Sequence, residues 1–254
     1  MSELQYDFED GYGLVPAQRH VNLDKRKGGW VADTAFVADT VYVGEDALVY
    51  GHARVIDNVL VYGHAQIHGQ ALVYDRASVF DDTQVYGEAR VYGEAFIFER
   101  AKIFGNAKVY GKARVYGDAY VIGDAKIFGH ADLYDEAQAF GRAQIFGYAH
   151  ISGCIKVFDE AKVGKSPIEV SGLSYSIVIF DNCVQVGCNQ YSYSEWKSLS
   201  KDDIENLNFE SVSFYHLKKG ALHRENSENS KSGTVSFYPL LIRILDSIFY
   251  DSND

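Results

Sequence analysis

Three cysteines in 254 residues are too few, and odd in number, for a disulfide framework, so the chain fits a reducing compartment. Long apolar runs are missing too. The most hydrophobic stretch, Phe237 to Tyr250, is interrupted by Pro239, Arg243 and Asp246 and is too short to span a bilayer. Residues Met1 to Asp10 are acidic and carry no apolar core, which does not fit a signal peptide, and a cytoplasmic protein is expected. Positive charge is in deficit. With 24 Lys and Arg against 35 Asp and Glu, the net charge is -11, which argues against a general affinity for nucleic acid or anionic membranes, both of which require clustered cations. A basic face can still exist on such a protein.

What the sequence has in abundance is a six-residue repeat, uninterrupted from Val31 to Ile168, of which Val85-Tyr-Gly-Glu-Ala-Arg90 and Val109-Tyr-Gly-Lys-Ala-Arg114 are typical. Position one is Val, Ile or Leu in every copy except that headed by Ala139, and position five is Ala in most. Side chains alternate along a strand, so positions five and one share a face and point inward, while six and two point outward. Position three is Gly or an acidic residue in all copies but that of Lys165, which marks a corner every six residues. Strands too short to be hairpin arms, each followed by a bend, make a parallel solenoid. At three strands per coil it has about 7.7 turns and, with roughly 4.8 Å between stacked strands, a length on the order of 37 Å.

The repeat resembles the hexapeptide-repeat family, whose fold is a left-handed parallel β-helix. The fold expected is therefore mainly β, a three-sided left-handed solenoid, and its hand comes from that resemblance alone. Tyr or Phe often fills position two here, where the family motif often has Gly. These aromatics recur every eighteen residues in columns such as Tyr74, Tyr92, Tyr110, Phe128 and Phe146, and Tyr62, Phe80, Phe98, Tyr116 and Tyr134, and are expected to stack.

Position six separates the outward faces. One carries Arg54, Leu72, Arg90, Lys108, Lys126, Gln144 and Lys162 beside the first aromatic column, so Arg90, Lys108, Lys126, Tyr92 and Tyr110 are the candidate residues for an anionic or nucleotide-like ligand. The plainer reading is that Lys and Arg stems cover ring edges while their charges stay in water. Another face, with Tyr42, Leu60, Tyr62, Phe80, Phe96 and Phe98, is much more apolar and is assigned to self-association. The resemblance implies a homotrimer.

Many hexapeptide-family proteins are acyltransferases that use an acyl-coenzyme A donor, a histidine base at a subunit junction and a loop beside it. No loop interrupts this repeat. His52, His64 and His130 occupy position four, a position of polar corner residues; His68 is at position two and His150 at position six, opposite Asp132 one coil below. No catalytic residue is assigned, and His150 and His130 are the candidates under the acyltransferase alternative. No cofactor is expected outside that alternative, where coenzyme A would bind. The spacing of His52, His64 and His68 does not match the family's zinc sites, so no metal is expected.

Residues 1–30 read as an N-terminal cap with Trp30 laid over the exposed end of the first coil. Residues 169–254 read as a small α+β appendage: a hairpin of Ser176-Ile-Val-Ile-Phe180 and Val184-Gln-Val-Gly187 around Asp181-Asn182, a polar stretch with Trp196, and helices over about 209–224 and 236–250. Cys183 and Cys188 lack two further ligands and are read as ordinary thiols. Leu14-Val-Pro-Ala-Gln-Arg-His20, Gly28-Gly-Trp-Val-Ala-Asp33, Val186-Gly-Cys-Asn-Gln-Tyr191 and Ser194-Glu-Trp196 are similar to segments of a group of phage and prophage hexapeptide-repeat proteins, with Tyr191 where that group suggests histidine. The expectation is a non-enzymatic, phage-derived interaction or sequestering protein in the host cytoplasm, whose partner is a host macromolecule or a small anionic ligand. The alternatives are the acyltransferase and an acidic nucleic-acid mimic. Membrane contact and direct nucleic-acid binding are not expected.

Overall fold

The computed structural model describes residues 4–170, 177–187, 189–200 and Asp203. Two compact units divide between Pro167 and Ile168.

The first unit is a parallel β-solenoid. Its two-residue strands stack in three sheets, of which those of 8 and 7 strands consist of them alone and the third, of 10, also takes in three longer strands at the N-terminus; each two-residue strand pairs with those three strands away in the chain. Arg90 lies opposite Lys108, Phe96 opposite Arg114, and Gln84 opposite Lys102, so successive rungs are eighteen residues apart. The interior is the stack of position-one aliphatics and position-five alanines that the period demands. Val91, Ala95, Ile97 and Ala101, for example, have no exposed surface. Their backbone is satisfied by the next coil: the Arg90 N–H donates to Ala107 O at 2.9 Å and the Tyr92 N–H to Val109 O at 3.0 Å.

Corners depend on a left-handed residue at position three. Gly111 has φ of 72°, and a Cβ there would lie 3.0 Å from the Gly129 nitrogen. Asp57 and Asp75 adopt the same conformation, at 62° and 60°. Each compensates by reaching up one coil: Asp57 Oδ2 accepts from Asp75 N–H at 3.1 Å, and Asp75 Oδ2 from Gly93 N–H at 3.0 Å. Acidic residues can therefore replace glycine at a corner because a short carboxylate side chain caps the coil above.

The N-terminal cap is an antiparallel meander. Gln5–Asp7 pairs with Leu14–Val21, which pairs with Lys27–Ala32, and this last strand runs parallel to Leu48–Val49 as part of the 10-stranded sheet. Gly28 and Gly29 are required by close approach: a Cβ on Gly29 would lie 1.8 Å from Ala47 O. Trp30 stacks on Tyr6 at 4.8 Å with Arg19 5.5 Å from its ring, and beside it Phe8, Ala17, Ala32 and Tyr50 form a small core. The cap residue that the sequence reading missed is Asn22. It is buried, donates from Nδ2 to Val43 O at 2.9 Å and accepts from Val43 N–H at 2.8 Å, closing backbone groups at the open end of the 7-stranded sheet.

The second unit holds a four-stranded antiparallel sheet of Ile168–Val170, Ile177–Ile179, Cys183–Val186 and Asn189–Ser192, followed by the helix Tyr193–Ser198. The hairpin expected around Asp181 and Asn182 is its central pair. Ser192 and Glu195 form a capping box at the helix start, and the buried Trp196 donates from Nε1 to Val184 O at 2.8 Å. The helices expected over 209–224 and 236–250 lie outside the described residues, as does Cys188; Cys183 is buried. Among the described residues no helix is long and apolar enough to cross a membrane.

Candidate functional site: a cationic column beside an aromatic ladder

The 8-stranded sheet places Arg90, Lys108 and Lys126 on three consecutive rungs, in register, with Leu72 below and Gln144 above. Like charges directly opposite one another across a ladder repel. Elsewhere the solenoid uses the same one-coil offset to pair opposite charges: Lys112 with Glu94, Arg100 with Asp118, Arg114 with Asp132 and Arg142 with Glu160. Among the described residues Arg90, Lys108 and Lys126 form no ion pair with any carboxylate. Among the described residues they also make no cation-π contact; on their sheet that contact belongs to Arg54, 6.0 Å from the Phe36 ring.

The column floors a shallow cleft of about 430 Å³. Along one wall runs the preceding corner, with Glu88, Asn106, Asp124 and Arg142. Asp124 there accepts from Asn106 Nδ2 at 3.1 Å. On the column's other side stand Tyr92 and Tyr110, two residues further along their strands. Rings Tyr74, Tyr92, Tyr110, Phe128 and Phe146 stack at centroid distances of 4.7, 4.8, 5.0 and 5.3 Å with nearly parallel planes. Each inner ring therefore has both faces covered, and only edges and hydroxyls remain for a ligand. Burial pushes the phenols of Tyr92 and Tyr110 above their ordinary pKa, Tyr92 also through its neighbours Tyr74 and Tyr110, so these hydroxyls stay protonated donors well past neutral pH.

The face assigned to self-association keeps its apolar residues in the open at its N-terminal end. Tyr42, Leu60, Tyr62 and Phe96 are 36%, 44%, 39% and 43% exposed, while Phe80 and Phe98 are half-buried within the ladder from Tyr62 to Tyr134. Ser78, between Leu60 and Phe96, is buried under its larger neighbours.

Further along the same face lies the grouping that includes His150. Its Nδ1 is 2.9 Å from Asp132 Oδ2, and Arg114 grips the same carboxylate from the coil below. Asp132 occupies an outward position yet is only 2% exposed, because side chains from both neighbouring coils close over it. His130 is exposed at a corner and stacks on Tyr148 at 4.9 Å, with no carboxylate partner among the described residues. Of the two histidine candidates, the structure gives an orienting acid to His150 alone.

No protein-family model matches the chain, and no curated protein matches it.

His68, read only as one of several histidines, is a rung of a third ladder. It stacks between Tyr50 at 4.6 Å and Tyr86 at 4.9 Å, and burial lowers its pKa while Asp10 works the other way. A further cleft of about 470 Å³ lies under the N-terminal strand, among Tyr6, Trp30, Tyr50 and Gln66, with Glu9 and Glu45 at its rim. Nothing in the repeat signals it, because it requires the antiparallel cap to lie over the first coils. Among the described residues no group of His, Cys, Asp or Glu is arranged to hold a metal ion.

Proposed function

We propose that the protein is a non-enzymatic interaction protein of the left-handed hexapeptide-repeat class, phage-derived and acting in the host cytoplasm, which uses its rigid solenoid to hold an anionic partner at Arg90, Lys108 and Lys126. The observation that carries this reading is the column itself: three like charges on adjacent rungs, without carboxylate partners among the described residues, in a protein that elsewhere pairs charges at that same offset. An anion from outside would relieve the repulsion. Self-association as a trimer through Tyr42, Leu60, Tyr62 and Phe96 is part of the proposal and rests on their exposure. The test is affinity capture from host lysate with the native protein and with Arg90→Glu, Lys108→Glu and Lys126→Glu combined. A specific partner retained by the first and lost by the second is the expected result; equal capture by both would reduce the column to a solvated face.

The contact of His150 with a buried Asp132 favours one second reading, an acyltransferase whose site is completed by another subunit. Calorimetry with coenzyme A separates the two: micromolar binding supports the enzyme, and silence at millimolar concentration removes it.

A further inference from the structure

The column's surroundings restrict what kind of anion it can take. A single-stranded nucleic acid binds by laying bases on open aromatic faces. Here those faces are closed, since Tyr92 and Tyr110 are each sandwiched in the ladder at centroid distances of 4.7 to 5.0 Å. A long uniform polyanion fits poorly as well. The cationic run is interrupted at Leu72 and Gln144, and Glu88 and Asp124 stand with Arg142 along its wall. The cleft is thus basic along its floor, mixed along its wall and short.

Spacing narrows the choice further. Three rungs put the outer cations about 9.6 Å apart at roughly 4.8 Å per rung. Carboxylates at i, i+3 and i+7 of an α-helix span about 10.5 Å along the axis at 1.5 Å per residue. On an extended strand, three same-face carboxylates at i, i+2 and i+4 span about 13 Å. Long Lys and Arg side chains absorb the first mismatch with little distortion, and the second only by splaying. Basic residues flanking such an acidic stripe would face Glu88 and Asp124.

We propose that the cleft over Arg90, Lys108 and Lys126 is a docking seat for an acidic α-helix of a partner protein, with carboxylates at i, i+3 and i+7 on the three rungs. This rests on the column being an anion-binding surface. The Lys and Arg heads supply the charge, and Gln144 supplies a neutral polar group at one end of the cleft.

The experiment uses the full-length protein and fluorescence anisotropy at low salt. Its probes are a fluorescein-labelled, alanine-rich helical peptide with glutamates at i, i+3 and i+7, a peptide of identical composition with those glutamates spread around the helix, and an oligothymidylate. The striped peptide should bind about tenfold more tightly than the permuted one, as expected for three partly exposed ion pairs acting together. Arg90→Gln, Lys108→Gln and Lys126→Gln combined, with an unchanged circular dichroism spectrum, should abolish that preference, and added salt should weaken it. Equal binding of both peptides overturns the helix seat. Tighter, column-dependent binding of the oligothymidylate also overturns it while leaving an anion site in place. If no probe separates native protein from the triple variant, the anion site fails together with the seat.

Discussion

His150 Nδ1 lies 2.9 Å from Oδ2 of Asp132, the residue directly beneath it on the same face of the solenoid. The carboxylate has Arg114 on its other side and almost no contact with water. A neutral imidazole that donates from Nδ1 leaves Nε2 as an acceptor toward solvent. Replacing Asp132 with Asn keeps the shape and removes the charge that both neighbours face. Because Arg114 and His150 are half-exposed and can rehydrate, the expected loss is about 1–2 kcal/mol, below the figure for a fully buried pair. A urea midpoint unchanged from the native protein would show that the network is ornamental to stability.

His68 gives a pH dependence with a definite sign. Its pKa is lowered in the folded state, first by burial, against the opposing charge of Asp10. The unfolded chain therefore binds a proton that the folded one resists, so this contribution is present above the ordinary histidine pKa and is lost as pH falls through the lowered value. His68→Phe would continue the ladder between Tyr50 and Tyr86. The variant should be more stable than the native protein at mildly acidic pH, and the gap should close toward pH above neutral. Thermal midpoints across that range measure it; parallel curves would contradict the assignment.

Tyrosine titration should follow the ladders. Burial raises Tyr50 to about 12, helped by the charge of Asp10, and burial also raises Tyr62, Tyr74, Tyr86, Tyr92, Tyr110 and Tyr116. Stability from these groups is intact below the unfolded phenol pKa and declines as pH rises through the folded values. Ultraviolet titration of the native protein should show a late ionising fraction that disappears in guanidinium, and Tyr50→Phe should remove its last component.

The corners make a prediction about order. At Gly111, which has φ of 72°, alanine should cost about 1–2 kcal/mol and valine more, because the Cβ meets the next coil. Aspartate should cost less than alanine despite its size, since at Asp75 the same placement lets the side chain accept from the N–H above. Chemical denaturation of the three variants ranks them; an aspartate variant weaker than the alanine variant would contradict the capping account.

Leu60→Lys and Phe96→Lys place charges in the exposed apolar strip without touching the interior. If the strip joins subunits, either change should lower the mass measured by sedimentation, and the double change should leave a folded monomer. A native protein that sediments as a monomer would assign the strip to another partner.

Most of the solenoid is legible in the sequence, because a strand's side-chain direction is set by its own two-residue alternation and the corner by a six-residue period. Val91, Ala95 and Ile97 had to point inward, and Arg90, Lys108 and Lys126 had to share a face. Long-range pairing had no such local signature. The antiparallel meander of the cap, the buried amide of Asn22 on Val43 and the cleft beneath Tyr6 join segments whose spacing obeys no repeat. Position six was read as outward everywhere, yet Asp132 is sealed because Arg114 and His150 fold over it from adjoining coils. The stacking of the aromatic column was expected from its eighteen-residue period, and its closeness, 4.8 and 5.0 Å between rings, leaves the inner faces closed to a nucleotide-like ligand. The sequence by itself determined the direction of each side chain, since that depends on local backbone geometry. Only the tertiary structure decided which outward groups are covered, paired or left open, since that depends on neighbours a full coil away.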